Sequence, residues 1–215
     1  MLLKPFVLRF IYSFLMRGLL RWIIGVKWEK ASFLLKENQF IIIANHNSHL
    51  DTMTLLASIP SRILPKVKPV AAADYFGDTP LKAKMSSYFV NALLISRSEG
   101  LNAIRQMKKA LDDGYSLILY PEGSRGNPEE EQELKPGVAL LLSLCPQVKY
   151  VPAHLTGMGR ALPKGDNLLI PYESSLVYGK PRWAESKDRE EILQQIKDDF
   201  KVLKTMSSAT QDSTS

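Results

Sequence analysis

Apolar and polar positions fall in blocks along this chain, and the blocks change period. Phe40-Ile41-Ile42-Ile43-Ala44 is an unbroken apolar run of strand length, which predicts a strand buried on both faces. Similar short runs predict strands at 70–73, 91–96, 116–120 and 150–155, with one or two more within 168–178 and a short strand and turn at 28–38. Helical spacing takes over elsewhere. Leu101, Ile104, Met107, Ala110 and Leu111 predict a helix over 101–112 that ends at Gly114. Ile192, Leu193, Ile196, Phe200 and Leu203 predict an amphipathic helix over 185–203. Shorter helices are expected at 52–59, 80–88 and 137–145, and a basic, proline-punctuated connection at 60–69. Strands alternating with helices predict a single α/β domain with a mixed, mostly parallel sheet flanked by helices.

The two ends of the chain depart from this pattern. Residues 1–27 are rich in Leu, Ile, Phe and Trp, but Arg9, Arg17 and Arg21 interrupt them. No uncharged stretch there approaches the ~18–20 residues that cross a bilayer. At about 100° per residue the three arginines fall within an arc of roughly 120°, and the rest of the circumference is mostly apolar. That pattern predicts an amphipathic, membrane-associating helical segment with its arginines at the headgroups. The principal domain is then 28–204. Residues 205–215, mostly Ser, Thr and other polar types, are expected to be a disordered tail.

Composition narrows the partners. With 45% apolar and 23% charged residues among 215, the chain has the make-up of a folded protein. A net charge of +6 points to an anionic partner, but no nucleic-acid-binding motif is present, so an anionic lipid surface or a phosphorylated ligand is expected. One cysteine, Cys145, cannot build a disulfide framework, and its leucine neighbours make it a core residue. A membrane-associated protein facing the reducing cytoplasm fits this usage.

Candidate chemistry sits at the ends of two predicted strands. His46-Asn47-Ser48-His49-Leu50-Asp51 follows the strand at Phe40–Ala44 and precedes a helix. A histidine and a carboxylate five residues apart at such a turn can make a charge-relay pair. The imidazole takes a proton from an alcohol, and the carboxylate holds its tautomer. Ser48 with Asp51 also reads as a helix-capping box, which would give Asp51 a purely structural role. A second loop, Tyr120-Pro121-Glu122-Gly123-Ser124-Arg125, follows another apolar run, so both loops are expected at one edge of a sheet. His46, His49 and Asp51 could also be read as metal ligands, but no fourth ligand is nearby, and no metal is expected.

These stretches resemble the glycerolipid acyltransferase family, typified by 1-acylglycerol-3-phosphate acyltransferases. Asn45 to Asp51 is similar to the first of the family's four ordered motifs. Asn91-Ala92-Leu93-Leu94-Ile95-Ser96-Arg97 is similar to the second, which usually opens with Gly. Tyr120 to Arg125 is similar to the third, usually Phe-Pro-Glu-Gly-Thr-Arg, and Val151-Pro152-Ala153 to the fourth. The resemblance implies an O-acyltransferase domain over 28–204, with His46 as base and Asp51 as its partner. It also implies a substrate-binding set of Arg97, Glu122, Gly123, Ser124 and Arg125. The arginines suit phosphate oxygens, and Gly123 allows close backbone approach. The implied reaction moves a fatty acyl group from acyl-CoA or acyl-carrier protein to 1-acylglycerol-3-phosphate, giving phosphatidic acid. It calls for no cofactor beyond the acyl-CoA or acyl-carrier protein co-substrate, and Ser48 and Ser124 are not nucleophiles. The alternatives are another lysolipid acceptor, or a membrane-binding scaffold with a decayed site.

Overall fold

The computed structural model describes residues 3–73, 89–96, 100–127, 130–163 and 169–212. Among these residues, seven strands form one sheet in the order β1-β7-β6-β2-β5-β3-β4. They are β1 (Val26–Trp28), β2 (Phe40–Ala44), β3 (Val67–Ala72), β4 (Leu93–Ile95), β5 (Ser116–Leu119), β6 (Lys149–Thr156) and β7 (Ser174–Tyr178). Every pairing is parallel except β6 with β7, which is antiparallel. The expected mixed, mostly parallel sheet is therefore present.

β2 shows why an unbroken apolar run makes a central strand. All five of its residues are buried. Phe40, Ile42 and Ala44 face a core shared with the helix α2 (His49–Ser58) and the N-terminal segment. Ile41 and Ile43 face a second core, built with α3 (Gly100–Asp112), α4 (Pro136–Leu144) and the last helix. Side chains alternate faces along a strand, so covering both faces leaves no polar position. Cys145 lies fully buried in the second core, as expected. Gly114 closes α3 at φ 83°, a left-handed turn that a glycine adopts without strain.

Two strands begin or end differently from the apolar runs that predict them. β3 starts at Val67 and includes Pro69. β4 pairs with β3 only from Val70, so Pro69 has one neighbouring strand and its missing N–H costs no ladder bond on the other side. Asn91 opens the second motif, where the family usually has Gly, and holds φ at 57°. Asn tolerates the left-handed region better than most residues. Its amide donates to the Val67 carbonyl at 2.9 Å and the Pro65 carbonyl at 3.2 Å, which secures the turn. The helix expected at 80–88 lies outside the described residues.

Both ends of the chain correct the sequence reading. The N-terminal segment comprises α1 (Leu3–Phe10) and two π-helical stretches, Ile11–Met16 and Leu19–Ile24. Residues advance through a smaller angle per step in a π-helix, so a wheel drawn at the α-helical angle misplaces them. The three arginines do not form a separate headgroup face. Arg9 donates to the Ser61 carbonyl, Arg17 to the Ala57 carbonyl, and Arg21 to the Trp28 carbonyl while stacking on the Trp28 ring. The exposed residues of this segment include Leu3, Phe6, Phe10, Phe14, Leu15, Trp22 (88% exposed) and Ile23. Among the described residues, no helix is long and apolar enough to cross a membrane. After the short α5 (Met158–Ala161), the last helix, α6 (Arg189–Asp212), runs through most of the expected disordered tail. Ser207 within it is buried and shares hydrogen bonds of 2.8 Å with Thr156 and Ser175 of the sheet, which holds this polar stretch in place.

Candidate active site

β2 and β5 are adjacent and parallel, with Ile43 opposite Leu119. The loops that follow them therefore emerge side by side at the carboxyl edge of the sheet. This brings together two loops more than 70 positions apart in sequence, as the apolar runs predicted. Two backbone-level links join them. Gly126 N–H donates to the His46 carbonyl at 3.0 Å, and His46 N–H donates to Glu122 Oε2 at 3.3 Å.

The His46 ring reaches Asp51 Oδ2 through Nδ1 at 2.9 Å. The same oxygen accepts the Asn47 and Ser48 amides, each at 2.7 Å. Ser48 caps α2, its Oγ accepting the Leu50 amide at 3.2 Å. The capping box and the charge-relay pair are thus one arrangement, and Asp51 serves both. Asp51 is an acceptor on three sides, so Nδ1 carries the proton and Nε2 is left to accept one. The His46 side chain is 18% exposed and that of Asp51 1%, so the carboxylate is sealed while the imidazole reaches solvent. Ser48 Oγ donates to the Leu162 carbonyl at 2.9 Å, which occupies it as a structural group.

Three side chains that the sequence did not mark as functional support this pair. The Tyr120 ring stacks on the His46 imidazole, with centroids 3.9 Å apart and planes inclined by 15°. Its hydroxyl shares a 2.7 Å hydrogen bond with Thr52 Oγ1, one residue past Asp51. Burial, reinforced by the Asp51 charge, raises the Tyr120 phenol well above its ordinary range, so it stays protonated. Gln132, from the polar loop before α4, donates to Glu122 Oε2. The only sequence signal for Tyr120 was its departure from the usual Phe; Thr52 and Gln132 carried none.

Glu122 is buried and turned into the loop junction. Burial pushes its carboxyl up to about 7; the His46 amide opposes the rise, the Asp51 charge adds to it, and Gln132 opposes it. Gly123 follows at φ 76° and is exposed, as is Ser124, while Arg125 is half-buried. Arg97 lies outside the described residues. His49 is exposed in the first turn of α2, where partial desolvation and then the Arg125 charge hold its imidazole below the ordinary range. Among the described residues, no three His, Cys, Asp or Glu side chains are grouped to hold a metal ion. His154 is mostly buried, and burial together with the Lys204 charge holds its imidazole down to about 4.

Two acceptors of the first motif, Asn47 Oδ1 and Asp51 Oδ1, are buried and have no hydrogen-bond partner among the described residues. Unpaired buried oxygens cost stability and concentrate at sites kept for function. A cavity of about 270 Å³ lies behind the loops, lined by Asn47, Glu122, Gln132, His154 and lysines of α6.

Comparison with known proteins bears on the family and the fold. A sequence model of the acyltransferase family matches residues 25–156, more than half of the chain. No curated protein matches it by sequence. Among solved structures, the chain is similar to the 1-acyl-sn-glycerophosphate (LPA) acyltransferase PlsC from Thermotoga maritima. The two are 19% identical and superpose with a TM-score of 0.77 over 95% of this chain and 81% of that one. At this identity the likeness is one of fold.

Proposed function

This chain belongs to the acyltransferase family, and from that premise we propose that it transfers a fatty acyl group to the free hydroxyl of 1-acylglycerol-3-phosphate, forming phosphatidic acid. The observation that carries the reading is the His46–Asp51 pair, joined at 2.9 Å with Nε2 left to accept a proton. An unactivated alcohol is a poor nucleophile at neutral pH, and a positioned base removes its proton as the bond to the acyl carbon forms. The acceptor oxygen attacks the thioester carbonyl carbon, the alcohol proton passes to His46 Nε2, and the tetrahedral intermediate expels the thiolate. The imidazolium then returns the proton to the leaving sulfur. Asp51 holds the imidazole in the accepting tautomer and stabilises the imidazolium. The acceptor is itself the nucleophile, so no covalent enzyme intermediate is required.

Phosphate on the acceptor explains the arginines of the second and third motifs. Arg125 follows Gly123 and Ser124 on the loop beside His46, and in this reading it binds phosphate together with Arg97. Glu122 holds the His46 backbone in register with that loop. The acyl donor is acyl-CoA or acyl-carrier protein.

A lipid acceptor requires access to a bilayer, and the exposed Phe6, Phe10, Phe14 and Trp22 support a peripheral membrane association facing the cytoplasm. In this reading the aromatic face enters the interface while the arginines tie the segment to the domain. Phe10→Asp with Phe14→Asp is expected to abolish co-flotation with anionic liposomes while leaving the fold intact. Unchanged flotation would refute the docking face.

The substrate reading is tested by thiol release from acyl-CoA and from acyl-carrier protein, with 1-acylglycerol-3-phosphate or its dephosphorylated form as acceptor. Release that depends on the phosphorylated acceptor supports the proposal. Equal release with both acceptors points to another lysolipid, and release without any acceptor points to a thioesterase.

A further inference from the structure

We propose that Tyr120 is a positioning residue for the His46 base, acting through its ring and held in place by its own hydroxyl. A single hydrogen bond from Nδ1 to Asp51 leaves an imidazole free to tilt about that bond. The Tyr120 ring removes this freedom by lying against one face of the imidazole, at 3.9 Å and 15°. The tyrosine ring is fixed in turn by the 2.7 Å bond between its hydroxyl and Thr52 Oγ1. Thr52 adjoins Asp51 in the first turn of α2, so the contacts close a circuit: His46 to Asp51, along the helix to Thr52, across to Tyr120, and back to His46. The circuit spans the ends of two strands and the start of one helix. A phenylalanine at this position would keep the stack and lose the link to α2.

The stack also bears on the chemistry. A neutral imidazole becomes an imidazolium as the acceptor's proton is transferred. The face of a tyrosine ring attracts a cation more than a neutral ring, so the contact strengthens in the transition state. An interaction that grows in the transition state raises kcat and leaves ground-state binding unchanged.

The test combines kinetics with a direct reading of the stack. Tyr120→Leu, which removes both ring and hydroxyl, is expected to lower kcat about tenfold with KM for donor and acceptor unchanged. Tyr120→Phe and Thr52→Val each remove the same hydrogen bond. Each is expected to lower kcat about threefold, and the double variant should also lose about threefold rather than ninefold, because the two residues act as one unit. In the wild-type protein the His46 ring protons should resonate upfield, assigned by comparison with His46→Gln, from the ring current of Tyr120. In Tyr120→Phe the shift should persist. The kinetic part rests on the proposed acyl transfer, whereas the ring-current shift is read whether or not the protein transfers acyl groups. Ordinary His46 shifts in the wild type would overturn the stack even if every turnover assay succeeded. Full kcat in Tyr120→Leu, or a raised KM with kcat unchanged, would overturn the positioning role. So would additive losses in the double variant.

Discussion

The two ends of α2 are built on opposite principles. At the amino end, one carboxylate oxygen of Asp51 gathers an imidazole and two amides, while its other oxygen and that of Asn47 are buried without partners among the described residues. At the carboxyl end, the Ala57 carbonyl is claimed by Arg17 and the following Ser61 carbonyl by Arg9. A helix leaves its last carbonyls unpaired and carries partial negative charge there, so a cation is a natural cap. One end is satisfied by long-range contacts and serves stability. The other tolerates unsatisfied groups and holds the candidate chemistry. Such a division is expected where activity requires polar groups that a stability-optimised helix would not keep.

That contrast is tested most strongly at Asp51. Asp51→Asn is expected to lower kcat about 10³-fold, because the amide cannot both orient His46 and stabilise an imidazolium. It should also cost about 1 kcal/mol of stability through the weakened cap, read as a lower denaturant midpoint. Arg17→Ala should reverse the pattern. It removes charged hydrogen bonds to the Ala57 carbonyl, so a loss of about 1–3 kcal/mol is expected, with kcat in detergent essentially unchanged. Comparable kcat losses in the two variants would mean that the ends of α2 are not functionally separate.

A smaller effect separates two buried groups by pH. Glu122 holds its proton up to about 7 in the folded chain, against an ordinary 4.5. Between these values the native state binds more protons than the unfolded state, so this group makes stability fall as pH rises. His154 is held down to about 4 against an ordinary 6.5, so the unfolded state binds more protons and stability rises with pH. The two slopes oppose each other from 4.5 to 6.5. Relative to the wild type, Glu122→Gln should make stability rise more steeply with pH across that window, and His154→Asn less steeply. Each contributes at most about 1.4 kcal/mol per pH unit. Denaturant midpoints at several pH values measure both, and parallel curves for the two variants would contradict these assignments.

What the sequence made legible was local. The β2 run, the cap at Ser48 and the five-residue spacing of His46 and Asp51 all lie within twelve consecutive residues, and all three are present as read. The pairing of the two loops was also legible, because each followed an apolar strand. Contacts between distant side chains were not. Tyr120 lies 74 positions from the imidazole it covers, and Arg17 lies 40 from the carbonyl it caps. The helix through 205–212 was hidden for the same reason, since Ser207 is held by Thr156 and Ser175 rather than by neighbours of its own. At the N-terminus the error lay in the assumed period, because two π-helical stretches break the wheel on which the arginines were placed.

The most direct test of the account is acceptor-dependent thiol release by the wild type and by His46→Ala, in liposomes containing 1-acylglycerol-3-phosphate, with circular dichroism confirming that the variant is folded. The account predicts a fall of about 10³–10⁴-fold in the folded variant. A folded His46→Ala protein that releases thiol at the wild-type rate would contradict His46 as the base.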